Sequence, residues 1–433
     1  MAIYLPTSKT KVAAAWVQSP CKVLFEMARR APGENIDMEF GGKLFHIVQS
    51  ADAMRHILRD HVSNYPKYFG NYRGFFGESR ITTNGEVWRK LRDRSQPFIT
   101  AADAESVTLA ARRYFDVAVD LLLEQSAKGG GTINVDTEVD FAAARTVGYT
   151  VLGFPFEIWG KDGLEDMRIV LRFATLTNFL AQPMSPVELE QHHIAAADAM
   201  RRLGGRFRAA VEEAGPEAKG LIALIRNSDC TNVDVFGEMA THLFAGFDTT
   251  AAAVSWALYL LALKPDLQIT LRAVALALPQ DGEAWVSALA DCTPLRAFVH
   301  EALRIFPPVP LLSRIAAKDD EIDGWKIIKG NTLLLSIIGL QHNSKVYTDP
   351  ARVMLSRNPN GRTPRVFAPH FLPFGDGQRV CPGARFAYTE LVTALAVFLR
   401  RTQILPGGAT QLNFRWDASL RRANGNHLRL EAL

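Results

Sequence analysis

"FLPFGDGQRVCPGA", Phe371–Ala384, is the stretch on which the reading of this chain turns. Within it Phe374, Gly375, Gly377, Arg379, Cys381 and Gly383 spell FGxGxRxCxG. The glycines let the backbone turn tightly and come close to something flat or bulky. The apolar sequence that follows predicts a last long helix from about Pro382 to Arg401, so Cys381 stands at a helix start. Backbone N–H groups and the positive helix end favour its thiolate there, the form in which sulfur acts as ligand or nucleophile. The plain alternative is a small buried cysteine beside a turn. The other cysteines, Cys21, Cys230 and Cys292, are widely spaced, with no CxxC and no disulfide-like rhythm. A reducing, cytoplasmic setting is expected.

The rest of the chain sets the frame. Its 433 residues suffice for a large core and, on length alone, for more than one domain. There is no internal repeat, and breaks such as "AKGGGT" (127–132) and "RNPNGRTPR" (357–365) are loop-sized. A single domain over residues 1–433 is therefore expected. With 48% hydrophobic and 22% charged residues the balance is that of a soluble globular protein. A net charge of +4 is too mild to suggest nucleic-acid binding. "MAIYLPTSKTKVAAAWVQSP" holds no apolar run of signal-peptide or anchor length. The longest nearly apolar run, Ala251–Leu263, is interrupted by Ser255 and falls short of the ~20 residues of a membrane span. It reads as a buried core helix.

Local patterns give a mainly helical (α+β) chain with small sheets near both ends. "IDMEF" and "KLFHIV" flank Gly41-Gly42, a hairpin signal. Phe236, Met239, Leu243 and Phe247 share one helical face, with Thr231 as a candidate cap. In "TPLRAFVHEALRIF", Thr293 suits an N-cap and Pro294 a first helical position. Leu295, Phe298, Ala302 and Phe306 form that helix's buried stripe, and Pro307-Pro308 ends it.

Three further segments carry possible chemistry. "AGFDTT", Ala245–Thr250, sets Asp248 and Thr249 in an apolar helix, where an acid and an alcohol are costly to bury unless used. A threonine hydroxyl can also bond back to a preceding carbonyl and merely kink the helix. "EALR" places Glu301 and Arg304 three apart, and an exposed ion pair of that spacing is worth only ~0.5 kcal/mol. "WRKLR" gives Trp88 and Arg92, which also fits a basic solvated helix face.

Taken together, and in this order along the chain, these motifs resemble those of the cytochrome P-450 family. The resemblance covers roughly Asn35 to the C-terminus, and it implies the cytochrome P-450 fold, with haem between the core helix and the cysteine-loop helix. It implies that Cys381 is the axial thiolate ligand of haem b iron, in a loop that includes Phe374 and Gly375. Asp248 and Thr249 would relay protons, and Gly246 would leave space for oxygen. Glu301 and Arg304 would belong to a buried structural network. Arg357 of "VMLSR" would complete it, although that segment lacks the family's aromatic and proline. Trp88, Arg92, Arg314 of "LLSRIAA" and Arg379 would hold the haem propionates, for which the planar guanidinium fork is suited. Many bacterial members carry a histidine three residues before the phenylalanine–glycine pair; here Phe371 stands there, with His370 one step earlier. His370 is not expected at the haem.

The implied reaction inserts one atom of O2 into an apolar small molecule. The implied electron source is a ferredoxin with its ferredoxin reductase, and no membrane anchor is expected. Arg89, Lys90, Arg92 and Arg94 would steer an acidic partner. Thr241, His242, Leu243, Ala245, Val309 and Leu311 are expected to line the pocket, with "RFATLTNFLAQPM" (172–184) as its roof. Terpenoids, steroids, fatty acids and aromatic metabolites all fit such a pocket; family habits lean towards a terpenoid or other polycycle. Two alternatives stand beside this. One is a haem-thiolate peroxygenase using H2O2, against which the retained acid–alcohol pair argues. The other is a non-catalytic haem gas sensor or carrier.

Overall fold

The computed structural model describes residues 15–16, 18–40, 43–68, 70–128, 131–154, 156–179, 185–227, 235–280, 282–361, 368–408 and 412–433. The helices that frame the site are α1 (Pro20–Arg30), α2 (Gly70–Phe76), α3 (Gly85–Ala101), α4 (Ala104–Lys128), α5 (Asp136–Val147), α6 (Gly160–Phe179), α7 (Pro186–Glu213), α8 (Val235–Ala262), α9 (Thr293–Ile305) and α10 (Ala384–Arg401). The strands are β1 (Ile36–Phe40), β2 (Lys43–Val48), β3 (Thr132–Asn134), β4 (Leu311–Ile315), β5 (Asp320–Ile322), β6 (Trp325–Ile327), β7 (Thr332–Ser336), β8 (Thr402–Pro406), β9 (Phe414–Asp417), β10 (Ser419–Arg422) and β11 (His427–Ala432). They form sheets in the orders β1-β2-β7-β4, β3-β11-β8, β9-β10 and β5-β6. The expected hairpin is present, with Ile36 opposite Ile47 and Phe40 opposite Lys43. Its Gly41-Gly42 turn, and the Thr231 cap, lie outside the described residues. β2 also runs parallel to β7, pairing Phe45 with Thr332 and Val48 with Leu335.

The core is built around α8. Met239, Leu243 and Phe247 are buried, and from Ala251 to Ala262 every residue is buried. A helix apolar on all sides has no solvent face, so α8 threads between α5 and α10. Over Gly237–Ala262 it is long and apolar enough to cross a membrane, a longer stretch than the sequence run suggested. In this fold the helix is largely buried against the rest of the chain, which identifies it as a core helix here. Its polar groups are tied down: Ser255 Oγ donates to Asp136 Oδ1 at 2.6 Å, and Trp256 Nε1 donates to the Leu420 carbonyl at 2.8 Å.

α9 departs from expectation at its start. Thr293 is the first helical residue, not the cap, and its hydroxyl turns back towards the Asp291 carbonyl at 3.5 Å. A hydroxyl turned that way cannot serve the helix N–H groups. The stripe Leu295, Phe298, Ala302 and Phe306 is buried as expected. α10 begins at Ala384 rather than Pro382, because Cys381–Gly383 is still a turn.

Behind the cysteine loop lies a buried charge network. Arg304 donates to Glu301 through Nε at 2.7 Å and Nη2 at 3.0 Å, and both side chains are fully buried. Arg357 Nη1 reaches Glu301 Oε2 at 2.6 Å despite the atypical segment around it, and the Met354 N–H adds a bond at 2.9 Å. Glu301 is therefore held by two cations and an amide, and its pKa stays low: burial works to raise it and these partners outweigh that. The network extends to the loop. Arg304 donates to the Gln341 carbonyl at 3.2 Å, and the Gln341 side-chain oxygen accepts from Leu372 N at 3.0 Å, next to the motif.

Candidate active site

The cysteine loop is folded by its glycines. Gly375 and Gly377 have φ of +69° and +67°, the left-handed region open to glycine. A Cβ on Gly377 would lie 2.0 Å from the Leu58 carbonyl oxygen, so no other residue fits. The Cys381 N–H donates to the Phe374 carbonyl at 2.8 Å, closing the loop under the thiol. Asp376 is clamped by Arg59 Nε at 2.5 Å and Nη2 at 2.7 Å.

The thiol opens into a cavity of about 340 Å³. From α8 come His242, Ala245, Gly246, Thr249, Thr250 and Ala253, spaced as one helical face. Val309, Leu311, Leu312 and Trp416 supply further apolar wall. At one end Lys67, Arg80, Arg314 and Arg379 converge, with Trp88 beside them. Arg379 lies over the Trp88 ring at 4.1 Å and donates to Asn84 Oδ1 at 2.9 Å and to the Thr83 carbonyl. Arg80 donates to Gln96 Oε1 at 2.6 Å, which aims it from α3's flank. These cations work against one another. Burial, then the charges of Arg314 and Arg80, push Arg379 down to about 9. Burial pushes Arg314 to about 10, and Lys67 falls well below the usual lysine range through burial and then Arg314 and Arg379. Such a cluster calls for an anionic ligand carrying more than one charge.

Residues 12–428 match the model of the cytochrome P-450 family. The chain belongs to the cytochrome P-450 family. It is 35% identical to cytochrome P-450 4A24 of Sus scrofa over 49% of this chain and 42% of that protein. It is 38% identical to cytochrome P-450 4F6 of Rattus norvegicus over 47% of this chain and 38% of that protein. These alignments span less than half the length of those curated relatives. With cytochrome P-450 4ae1 of Drosophila melanogaster the identity is 26% over 85% of this chain and 80% of that protein. The fold matches that of the cytochrome P-450DA haem domain, with a TM-score of 0.81, 18% identity, and coverage of 97% of this chain and 95% of that one.

For a cytochrome P-450 the family cofactor is haem with thiolate-ligated iron. The donor set fits it: one thiol on the cavity floor, and a cation cluster at one end suited to two carboxylates. Burial raises the Cys381 pKa, with the Gly383 N–H, Arg80 and Lys67 acting the other way. The helix-end effect expected from sequence is thus present but outweighed. A cation at the sulfur is what stabilises the thiolate.

Several expected site residues sit elsewhere. Arg92 is exposed on α3, its guanidinium 5.6 Å from the Trp88 ring, and is not among the cavity-lining residues. Arg80 and Lys67, from segments with no recognisable spacing, stand at the cation end. Gly246 does line the cavity, but the space its missing side chain leaves is filled by Val147, whose Cγ2 a Cβ would meet at 2.6 Å. That glycine serves the close approach of α8 to α5. Thr249 faces the cavity and donates to the Ala245 carbonyl at 2.9 Å. Asp248 does not: its carboxylate accepts from Arg421 at 2.8 Å and Ser419 at 2.5 Å on the far side of α8. Burial drives its pKa up; Arg421 opposes this but is shared with Asp140, also at 2.8 Å. Thr249 thus stands on the cavity face of α8 while Asp248 is turned to Arg421 and Ser419. Leu243 is buried away from the cavity, and of the proposed roof no residue among 172–175 lines it. Residues 180–184 lie outside the described residues.

One further acid belongs to none of the motifs. Glu390, in the apolar run of α10, is fully buried, and neither carboxyl oxygen has a hydrogen-bond partner. Its polar neighbours are Thr146 and Thr250. Burial raises its pKa well above 4.5, so the fold holds it as the neutral acid. Above about pH 4.5 the unfolded chain gains by ionising this group and the folded one does not. Stability therefore falls as pH rises from there towards the folded pKa. Glu390→Gln should match wild type in melting temperature at pH 4 and exceed it at pH 8; a variant less stable at both would refute the neutral acid.

Proposed function

We propose that this cytochrome P-450 is a haem-thiolate monooxygenase that inserts one atom of O2 into an apolar small molecule, drawing electrons from a ferredoxin and its reductase. The observation that carries this is the sharing of one cavity by the Cys381 thiol, the cation end and the Thr249 face of α8. When bound, haem supplies the oxygen activation and electron transfer. Of this chain, the Cys381 thiol would hold the iron, Lys67, Arg80, Arg314 and Arg379 would hold the carboxylates, the apolar wall would exclude water, and the Thr249 hydroxyl would hold a proton within the cavity. Arg89, Lys90, Arg92 and Arg94 are all exposed on α3, which suits an acidic redox partner.

Polycyclic or terpenoid substrates suit the apolar wall, and one polar lining group, His242, lies near Arg80. His242 Nδ1 donates to the Glu238 carbonyl at 2.7 Å, and burial pushes its pKa down to about 4, so the imidazole is neutral. With Nδ1 protonated, Nε2 is left as the acceptor of a side chain that lines the cavity. A substrate hydroxyl would find its partner there. His242→Phe should weaken binding of a hydroxylated terpenoid about tenfold (~1.4 kcal/mol) and leave the parent hydrocarbon unchanged, read by the haem spin-shift titration.

The position of Asp248 gives weight to a second reading. An acid held by Arg421 outside the cavity weakens the argument against a peroxygenase. The deciding experiment compares turnover of a terpenoid panel by ferredoxin, reductase, NADPH and O2 with turnover by H2O2 alone. Product only with the first supports the monooxygenase; efficient product with peroxide alone transfers the assignment to the peroxygenase; none with either, in a protein that binds carbon monoxide, points to a sensor or carrier.

A further inference from the structure

Away from the cavity, residues 56–61 make one wide helical turn. Its closing bond runs from His61 N–H to the His56 carbonyl at 2.8 Å, a spacing of five residues. In an α-helix residues five apart point in different directions; in this wider turn they stack. The two imidazoles are accordingly parallel within 8°, with centroids 3.9 Å apart. Asp320, at the start of β5, completes the group. Its Oδ2 lies 2.8 Å from His56 Nε2 and 4.0 Å from His61 Nδ1, and the three donor atoms lie within 4.8 Å of one another.

The carboxylate is fixed from behind. Tyr65 Oη donates to Oδ2 at 2.7 Å and the Glu321 N–H to Oδ1 at 2.8 Å. Three groups, His56, Tyr65 and the Glu321 amide, thus already converge on this carboxylate. His61 is half exposed, which gives an ion a way in. Two imidazoles, one carboxylate and an outer hydroxyl orienting that carboxylate form the donor set of a borderline divalent transition ion.

We propose that His56, His61 and Asp320 form a surface site for a divalent transition metal of the zinc type. The ion takes the place of the direct His56 Nε2–Asp320 Oδ2 contact at 2.8 Å, with solvent in the fourth position. The same turn supports the cysteine loop, because Arg59 clamps Asp376 and the Leu58 carbonyl packs where Gly377 lacks a side chain. The site therefore lies on the thiolate side of the molecule, one turn removed from the loop itself.

The test is calorimetric titration of the purified haem-loaded protein with ZnCl2 at pH 7.5, alongside His61→Ala, Asp320→Asn and Tyr65→Phe. His61 is exposed and away from the haem machinery, so its variant should fold and keep the haem spectrum. The expected result is one zinc per chain, a rise in melting temperature with zinc, loss of both in His61→Ala and Asp320→Asn, and roughly tenfold weaker binding in Tyr65→Phe. Equal zinc binding by wild type and His61→Ala, or none by wild type, would overturn the site.

Discussion

Cys381→Ala gives a protein that, reduced and exposed to carbon monoxide, lacks the strongly red-shifted main haem band that wild type shows, and its turnover falls below detection. Cys381 is the thiol that opens into the cavity that Thr249 also lines, and the loop that carries it closes with its own N–H on the Phe374 carbonyl. The remaining two described cysteines cannot substitute, because Cys21 and Cys292 are buried elsewhere and burial raises the pKa of each. Haem retention should drop less than activity, since the Arg80, Arg314, Arg379 and Lys67 end is untouched. A Cys381→Ala protein that keeps the red-shifted band would remove Cys381 as the ligand, and with it the monooxygenase reading.

Breaking the charge network behind the loop should have the largest effect on stability. Arg304→Ala leaves Glu301 buried with its main cation gone, a change that typically costs ~3–5 kcal/mol. Domains are commonly stable by only ~5–15 kcal/mol, so little folded, haem-loaded protein is expected. Arg357→Ala should be milder, because Arg304 and the Met354 N–H still hold the carboxylate. Urea midpoints measured on whatever folds provide the check: equal, small losses for the two variants would show that Glu301 does not depend on Arg304.

What the sequence disclosed follows how local each signal is. The cysteine loop was legible because glycines at fixed offsets have few uses other than a tight turn around a thiol. The hairpin, the α8 stripe and the Glu301–Arg304 pair were legible because a period of two, three or four residues survives in one dimension. Arg357 was found in place although its segment departs from the pattern, since only the guanidinium has to arrive. Arg80 and Lys67 were not legible: each comes from an irregular segment, and nothing in "GESRIT" or "YPKYFG" says which way a side chain points. Arg92 and Asp248 were misplaced for the opposite reason. Both sit in the right helix at the right position, yet one faces solvent and the other Arg421. Glu390 does carry a sequence signal, an acid inside the apolar run "ELVTALAVFL".

The parallel pairing of β2 with β7 sets an order of events during synthesis. Residues 43–48 wait for residues 332–336 before their outer edge is satisfied, and Lys67 and Arg80 wait longer still for the loop of Cys381. A nascent chain must thus hold an open strand edge for most of its translation. Closing so long a loop costs entropy, so the joining of the two ends comes late in folding. Haem capture then becomes one of the last steps, and cells short of haem should accumulate a chain that is nearly complete in its helices but unlocked between its two ends.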